Sequence, residues 1–226
     1  MSTARAEAGQ SERLRLELGF ALPMLVDASN RLAAHSRLRE LYPEFLFTTH
    51  SIIRASVPVM ETARVRAEEL SAADPVSAAL AGYLGVHIDE ERDHDVWLLD
   101  DMAVLGMERA SILARPPSPT VAALVGAQYY WIRHYHPVAV MGYIAVLEGY
   151  PPSPEILDEM IEGSGYPREA FRTLAAHAEL DPGHKEELER VLDALPLTRD
   201  QSEVVGLSAL FTIRTLSRAL DEVAEA

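Results

Sequence analysis

Asp74-Pro75-Val76-Ser77-Ala78-Ala79-Leu80-Ala81-Gly82-Tyr83-Leu84-Gly85-Val86-His87-Ile88-Asp89-Glu90-Glu91-Arg92-Asp93-His94-Asp95-Val96-Trp97-Leu98-Leu99-Asp100-Asp101-Met102-Ala103-Val104-Leu105-Gly106 is the stretch whose reading decides the fold. Aspartate before proline opens a helix, because the carboxylate caps free N–H groups and proline lacks the N–H a first turn leaves unused. Gly106 closes it, since glycine accepts the left-handed backbone of a helix end. With His87 at zero and about 100° per residue, Leu80, Leu84, Leu98, Met102 and Leu105 fall on one arc of about 60°. Into that apolar stripe fall His87 itself, Glu91 near about 40° and His94 near about −20°. Burying such groups unpaired costs several kcal/mol. Hydrogen-bonded core histidines would meet the cost, and so would a metal ion held by Glu91-x-x-His94 together with His87. Glu90, near about −60°, lies at the stripe's edge, which favours Glu91 as the ligand.

Working outward, the same punctuation repeats. A first helix is predicted over residues 11–34, with a kink at Pro23, and a second over 43–70, bent at Pro58. Ser118-Pro119 opens a helix that runs to Gly149, and Ser153-Pro154 opens one ending near Gly163. Another is predicted over 167–180, a restart at Asp181-Pro182 ends near Leu195, and Thr198 caps a last helix to Val223. The expectation is an all-α protein of seven or eight helices, with residues 11–226 as a single domain behind a disordered segment 1–10.

Composition narrows the function. The 226 residues carry 35 acidic against 20 basic side chains, a formal charge of −15. That balance repels phosphate backbones and anionic lipid, so neither nucleic acid nor a membrane is expected as a partner. There is no cysteine, which excludes disulfides, thiolate zinc sites and cysteine nucleophiles. Met1 to Gln10 lacks the apolar run of a signal peptide, and no apolar run is long enough to span a bilayer. A cytoplasmic location is expected.

Two further places carry polar groups where a plain bundle would not. Glu148 shares a helical face with Met141 and Ile144 and sits in a last turn, where the macrodipole disfavours an anion. His177, Asp181 and His184 stand at i, i+4 and i+7 and project together if the segment stays near-helical, although Pro182 predicts an interruption with Asp181 as N-cap. Two histidines and a carboxylate suit non-haem iron.

These motifs carry a resemblance. His87-x2-Glu90-Glu91-x2-His94-x2-Trp97 with Asp100-Asp101, then His136-Pro137 through Glu148-Gly149, then His177-x3-Asp181-x2-His184 resemble, in residues and in order, the haem-oxygenase-like diiron oxidases, or iron-containing redox enzymes. The resemblance implies a haem-oxygenase-like bundle binding two Fe(II) ions. Its ligand set maps onto His94, a bridging Glu148, and His177, Asp181 and His184. The glutamate that many members place seven residues before the first-helix histidine is His87 here, and Glu91 is placed to serve instead.

It also implies O2-dependent oxidation of a small molecule, by N-oxygenation, desaturation or oxidative C–C cleavage of an amino-acid or fatty-acid-like substrate. Such a reaction draws on an external reductant and belongs to a biosynthetic pathway, and a homodimer is common for the fold. Tyr130 and His134 share the face of Glu148 if the helix survives Pro137, and Arg54 could hold a substrate carboxylate. The alternatives are a metal-free enzyme of the thiaminase-related or pyrroloquinoline-quinone-synthase type, a non-catalytic iron-binding bundle, and a haem protein using His35 or His50.

Overall fold

A computed structural model describes residues 9–226, and the described residues form α-helices joined by short turns, with no strand among them. The order is α1 (Gln10–Gly19), α2 (Leu22–Ala33), α3 (Leu38–Leu70), α4 (Pro75–Glu91), α5 (His94–Val104), α6 (Arg109–Ala114) and α7 (Pro119–His134). A 3₁₀ turn (Pro137–Ala139) leads into α8 (Val140–Leu147) and α9 (Pro154–Ser164). A second 3₁₀ turn (Arg168–Phe171) leads into α10 (Arg172–Ala194) and α11 (Arg199–Ala224). The predicted starts hold at the residues that cause them. Asp74 accepts from the N–H groups of Val76 and Ser77, Ser118 from Val121 and Ser153 from Ile156, while Thr198 and Gln201 form a reciprocal capping box.

The helices outnumber the seven or eight expected because three predicted helices divide and the short α6 was not predicted. The first breaks at Phe20-Ala21, which places Pro23 in the opening turn of α2. The decisive stretch breaks at Arg92-Asp93, where Arg92 is extended and Asp93 takes a left-handed φ of 69°. Aspartate is among the few non-glycine residues that adopt this backbone readily. The third division follows His136, held extended by Pro137, so α7 stops before Glu148's helix begins. Pro43 and Pro182, expected to bound helices, do not. α3 starts at Leu38 and runs through Pro43 and Pro58, and α10 runs unbroken through Pro182, so Asp181 is not an N-cap. A proline removes one N–H from a helix, and flanking turns packed on their neighbours hold the rest in line. Of the predicted disordered segment 1–10, residues 1–8 lie outside the described residues; Gly9 and Gln10 are described, and Gln10 begins α1.

The long helices α3 and α11 are the scaffold: α4, α5, α7 and α9 pack on α3, and α2, α7 and α8 on α11. α8 lies so close to α11 that a Cβ at Gly142 would collide with the Val205 carbonyl oxygen. Two apolar cores result. Leu80, Leu84 and Ile88 of α4 belong to the larger, and Leu98, Leu99 and Met102 of α5 to the smaller, with Tyr42 and Phe171. The α4–α5 corner, carrying Glu91 and His94, therefore lies at the seam between them. No helix of the described residues is long and apolar enough to cross a membrane.

Candidate metal centre

The corner at Asp93 does what a continuous helix was expected to do. Glu91 ends α4, His94 begins α5, and the His94 Nδ1 lies 3.0 Å from Glu91 Oε2. Both side chains are almost wholly buried. His87 sits one turn earlier on α4, 2% exposed, with its Nε2 2.9 Å from Glu148 Oε1. Glu148 reaches that point as the C-cap of α8, a helix buried along its length. From α10, the His177 imidazole packs edge-on to His94 with centroids 5.0 Å apart, and the His184 imidazole packs edge-on to His87 at 5.3 Å. The His184 Nδ1 is 3.5 Å from both Glu91 Oε1 and Glu148 Oε2. All seven side chains predicted as ligands thus meet in one region, with Asp181 buried on the same helix between the two histidines.

Two triads stand out: Glu91, His94 and His177, and His87, Glu91 and Glu148, each offering donor atoms within 4.8 Å of one another. Glu91 belongs to both. The resemblance gave the shared carboxylate position to Glu148; here Glu148 belongs to one triad and Glu91 joins them.

The electrostatics show a centre short of positive charge. Burial pushes the Asp181 carboxyl up, and the charges of Glu148 and Glu91 add to this, taking it to about 8. Burial also raises Glu148, with the His87 hydrogen bond pulling only part of the way back. Burial works against the charged form of His87, yet the bond to Glu148 and the nearby carboxylates win and raise its pKa. Burial opposes the Glu91 charge too, but His94, His177 and His87 hold its carboxyl below the ordinary value. His177 is lowered, chiefly by burial.

Four buried atoms of the seven ligand candidates lack any hydrogen-bond partner: Glu91 Oε1, Glu148 Oε2, Asp181 Oδ1 and His184 Nδ1. Buried polar atoms are almost always paired. Four orphans on adjacent groups, with three carboxylates and four imidazoles around them, are the donor set that divalent iron takes. The residues present fit the metal.

Against this wall lies a cavity of about 560 Å³. Glu91, Glu148 and His177 face it, and elsewhere its lining is mainly apolar, with Leu25, Phe45, Ile52, Ile53, Leu216 and Leu220 among the residues. Its polar remainder is uncharged, Ser29, Asn30, Thr49, Ser56 and Ser153, and it includes no lysine or arginine. The three residues predicted to bind substrate are corrected. Tyr130 and His134 are exposed at the end of α7, because the break at Pro137 turns that face away from Glu148. Arg54 lies on the solvent side of α3, while its neighbours Ile52 and Ile53 line the cavity. Neither His35 nor His50 is on the cavity wall. Sequence reading passed over Tyr83, stacked on His87 at 5.3 Å with its hydroxyl buried and unpartnered; its place four residues before His87 on α4 was the available signal.

The arrangement of the helices places the chain in a known class, the haem-oxygenase-like fold. Solved structures share that fold. A domain of unknown function with a haem oxygenase-like fold from Shewanella denitrificans superposes with a TM-score of 0.72 at 18% identity, over 96% of this chain and 89% of that one. A TenA homologue from Pseudomonas syringae pv. tomato gives 0.68 at 11% identity, over 93% of each chain. No curated protein matches the sequence. A family model described as iron-containing redox enzyme matches residues 59–211, and the chain belongs to that family.

Proposed function

We propose that this protein is a non-haem oxidase that uses two iron ions and O2 to oxidise a small molecule with an apolar body. The observation that carries the reading is Glu91: one buried carboxylate common to two ligand triads, facing the end of a cavity large enough for a drug-sized molecule. Glu91, His94 and His177 would hold one ion, and His87, Glu91 and Glu148 the other, with Asp181 and His184 completing the set from α10. Iron bound there supplies the electrons and open coordination positions that O2 activation requires. The chain supplies the rest. Its carboxylates neutralise the cations, Thr173 fixes the His177 ring by accepting from its Nδ1 at 2.9 Å, and the apolar walls keep water from the reacting end.

Between an amino-acid and a fatty-acid-like substrate, the cavity favours the second. An amino-acid head brings both an ammonium and a carboxylate into a lining with no lysine or arginine, whereas a fatty-acid-like chain brings a single carboxylate that can stay at the metals or at the cavity mouth. Desaturation and oxidative C–C cleavage of an aliphatic chain are the outcomes this pocket suits. An external reductant closes the cycle.

Anaerobic Fe(II) titration of the metal-free protein, followed by exposure to O2, tests the reading. Two ions per chain and O2 uptake are expected. Stoichiometry near zero, or binding unchanged in a His94→Ala, His184→Ala double variant, refutes it. One observation favours a second reading, a metal-free acid–base enzyme: the buried hydrogen bond between His87 and Glu148, backed by Tyr83. That reading predicts turnover in the presence of a strong chelator.

A further inference from the structure

Outside the cavity, Trp97 of α5 packs on the ligand imidazoles. Its ring centroid lies 4.0 Å from that of His94, with the planes 32° apart, and 6.3 Å from that of His177. Both histidines belong to the triad with Glu91. Trp97 is also 37% exposed, and it is not a lining residue of the cavity. Tyr83, the aromatic side chain stacked on His87, is 8% exposed and has no such outlet. Trp97 is thus in ring contact with the metal-binding histidines on one side and with water on the other. Packing support for His94 accounts for the first contact and leaves the second unexplained. Indole and phenol are the side chains most readily oxidised by one electron outside the sulfur-containing ones, and an indole at the surface can release its N–H proton.

We propose that Trp97 is a one-electron relay between the Glu91–His94–His177 site and solvent, active when oxygen is reduced there with no substrate in the cavity. The inference rests on the oxidase reading above. Trp97 gives one electron toward the site and its Nε1 proton to water, so one oxidising equivalent leaves the buried ligands. An external one-electron donor of the ascorbate or reduced-flavin class returns the electron, and water returns the proton. Each cycle oxidises the donor by one electron and leaves Trp97 unchanged. Without a donor, the indole radical adds O2. One further electron, from excess Fe(II), and one proton then end the sequence at a ring-opened product heavier by one O2.

Peptide mass mapping reads this directly. The full chain is loaded with Fe(II), exposed to O2 without substrate, with or without ascorbate, and digested. The second tryptophan, Trp131, is the internal control; it is half-buried on α7 and packs edge-on to Phe211 at 5.6 Å. The proposal expects oxygen added to Trp97 several-fold more than to Trp131, suppression by ascorbate, and loss of the difference in Glu91→Gln. Trp97→Phe is expected to keep the iron stoichiometry and to shift oxidation onto His94 or His177. Equal oxidation of both tryptophans during normal iron uptake and O2 consumption overturns the relay and leaves the oxidase intact. So does iron uptake lost in Trp97→Phe, which would make the residue structural. Absence of iron uptake or of O2 consumption in the unaltered chain overturns the oxidase reading and takes the relay with it.

Discussion

Glu91→Gln against His94→Ala separates two sites that share a ligand from two independent ones. Glu91 is in both triads, while His94 is in one. Ligand binding to the folded state stabilises it by RT ln(1 + [L]/Kd), about 2.7 kcal/mol per site when Fe(II) stands at 100 times Kd. Two filled sites then contribute about 5.4 kcal/mol. For a chain of this length each kcal/mol moves Tm by about 2–4 °C, so saturating Fe(II) should raise the Tm of the unaltered protein by about 11–22 °C. Loss of a partner that only orients a ligand already costs about 10–100-fold in metal affinity, so 100-fold is a modest figure for a direct ligand. His94→Ala weakens one site and leaves about 3.1 kcal/mol, or about 6–12 °C. Glu91→Gln weakens both and leaves about 0.8 kcal/mol, or about 2–3 °C.

The assay is anaerobic thermal unfolding with and without Fe(II), each variant compared with its own metal-free form so that intrinsic stability cancels. Glutamine keeps the shape of Glu91 and an acceptor beside His94, so the metal-free variant should fold. Equal iron-induced shifts in Glu91→Gln and His94→Ala would refute the shared-carboxylate geometry.

Three further outcomes are expected. Gly142→Ala drives a methyl into the Val205 carbonyl and within 2.7 Å of the Ala209 nitrogen, so denaturant unfolding should show a loss of about 3 kcal/mol or more, whereas Gly126→Ala in α7, with nothing within 4 Å, should gain up to about 1 kcal/mol. Leu216→Trp fills the cavity from α11 and should abolish binding of an apolar fluorescent probe while Fe(II) stoichiometry stays unchanged, since no ligand is touched. Asp181 is raised from 3.8 to about 8, so the metal-free protein binds a proton on folding between these values; its Tm should fall as pH rises from 5 to 8, and Asp181→Asn should flatten that slope. With Fe(II) bound the slope should reverse, because the metal needs the ionised carboxylate.

What the sequence disclosed and what it hid differ in kind. Helix starts were legible because a cap and a proline act locally: Asp74, Ser118, Ser153 and Thr198 each bond to an N–H two or three residues on, and nothing distant alters that. Helix breaks were not, since a proline's cost is set against packing that lies elsewhere in the chain. Pro182 failed to interrupt α10, while Asp93, which no breaker rule marks, turned the chain between Glu91 and His94.

Glu91 and His94 stay together across the unpredicted break for a physical reason. A left-handed residue at Asp93 preserves the i to i+3 approach of Glu91 and His94 while changing the direction of everything after it, so the 3.0 Å contact forms as a helix would have formed it. The substrate residues had no such protection. Tyr130 and His134 were placed by phase carried across Pro137, and once the chain turned there the phase was lost. Local chemistry therefore transfers across a misread boundary, and extrapolated direction does not. The cavity shows the same limit at larger scale. Its wall is assembled from α2, α3, α4, α8, α9, α10 and α11, where Leu25, Ile52 and Leu216 each read as ordinary core, and only the packing of all seven leaves the space beside Glu91 and Glu148.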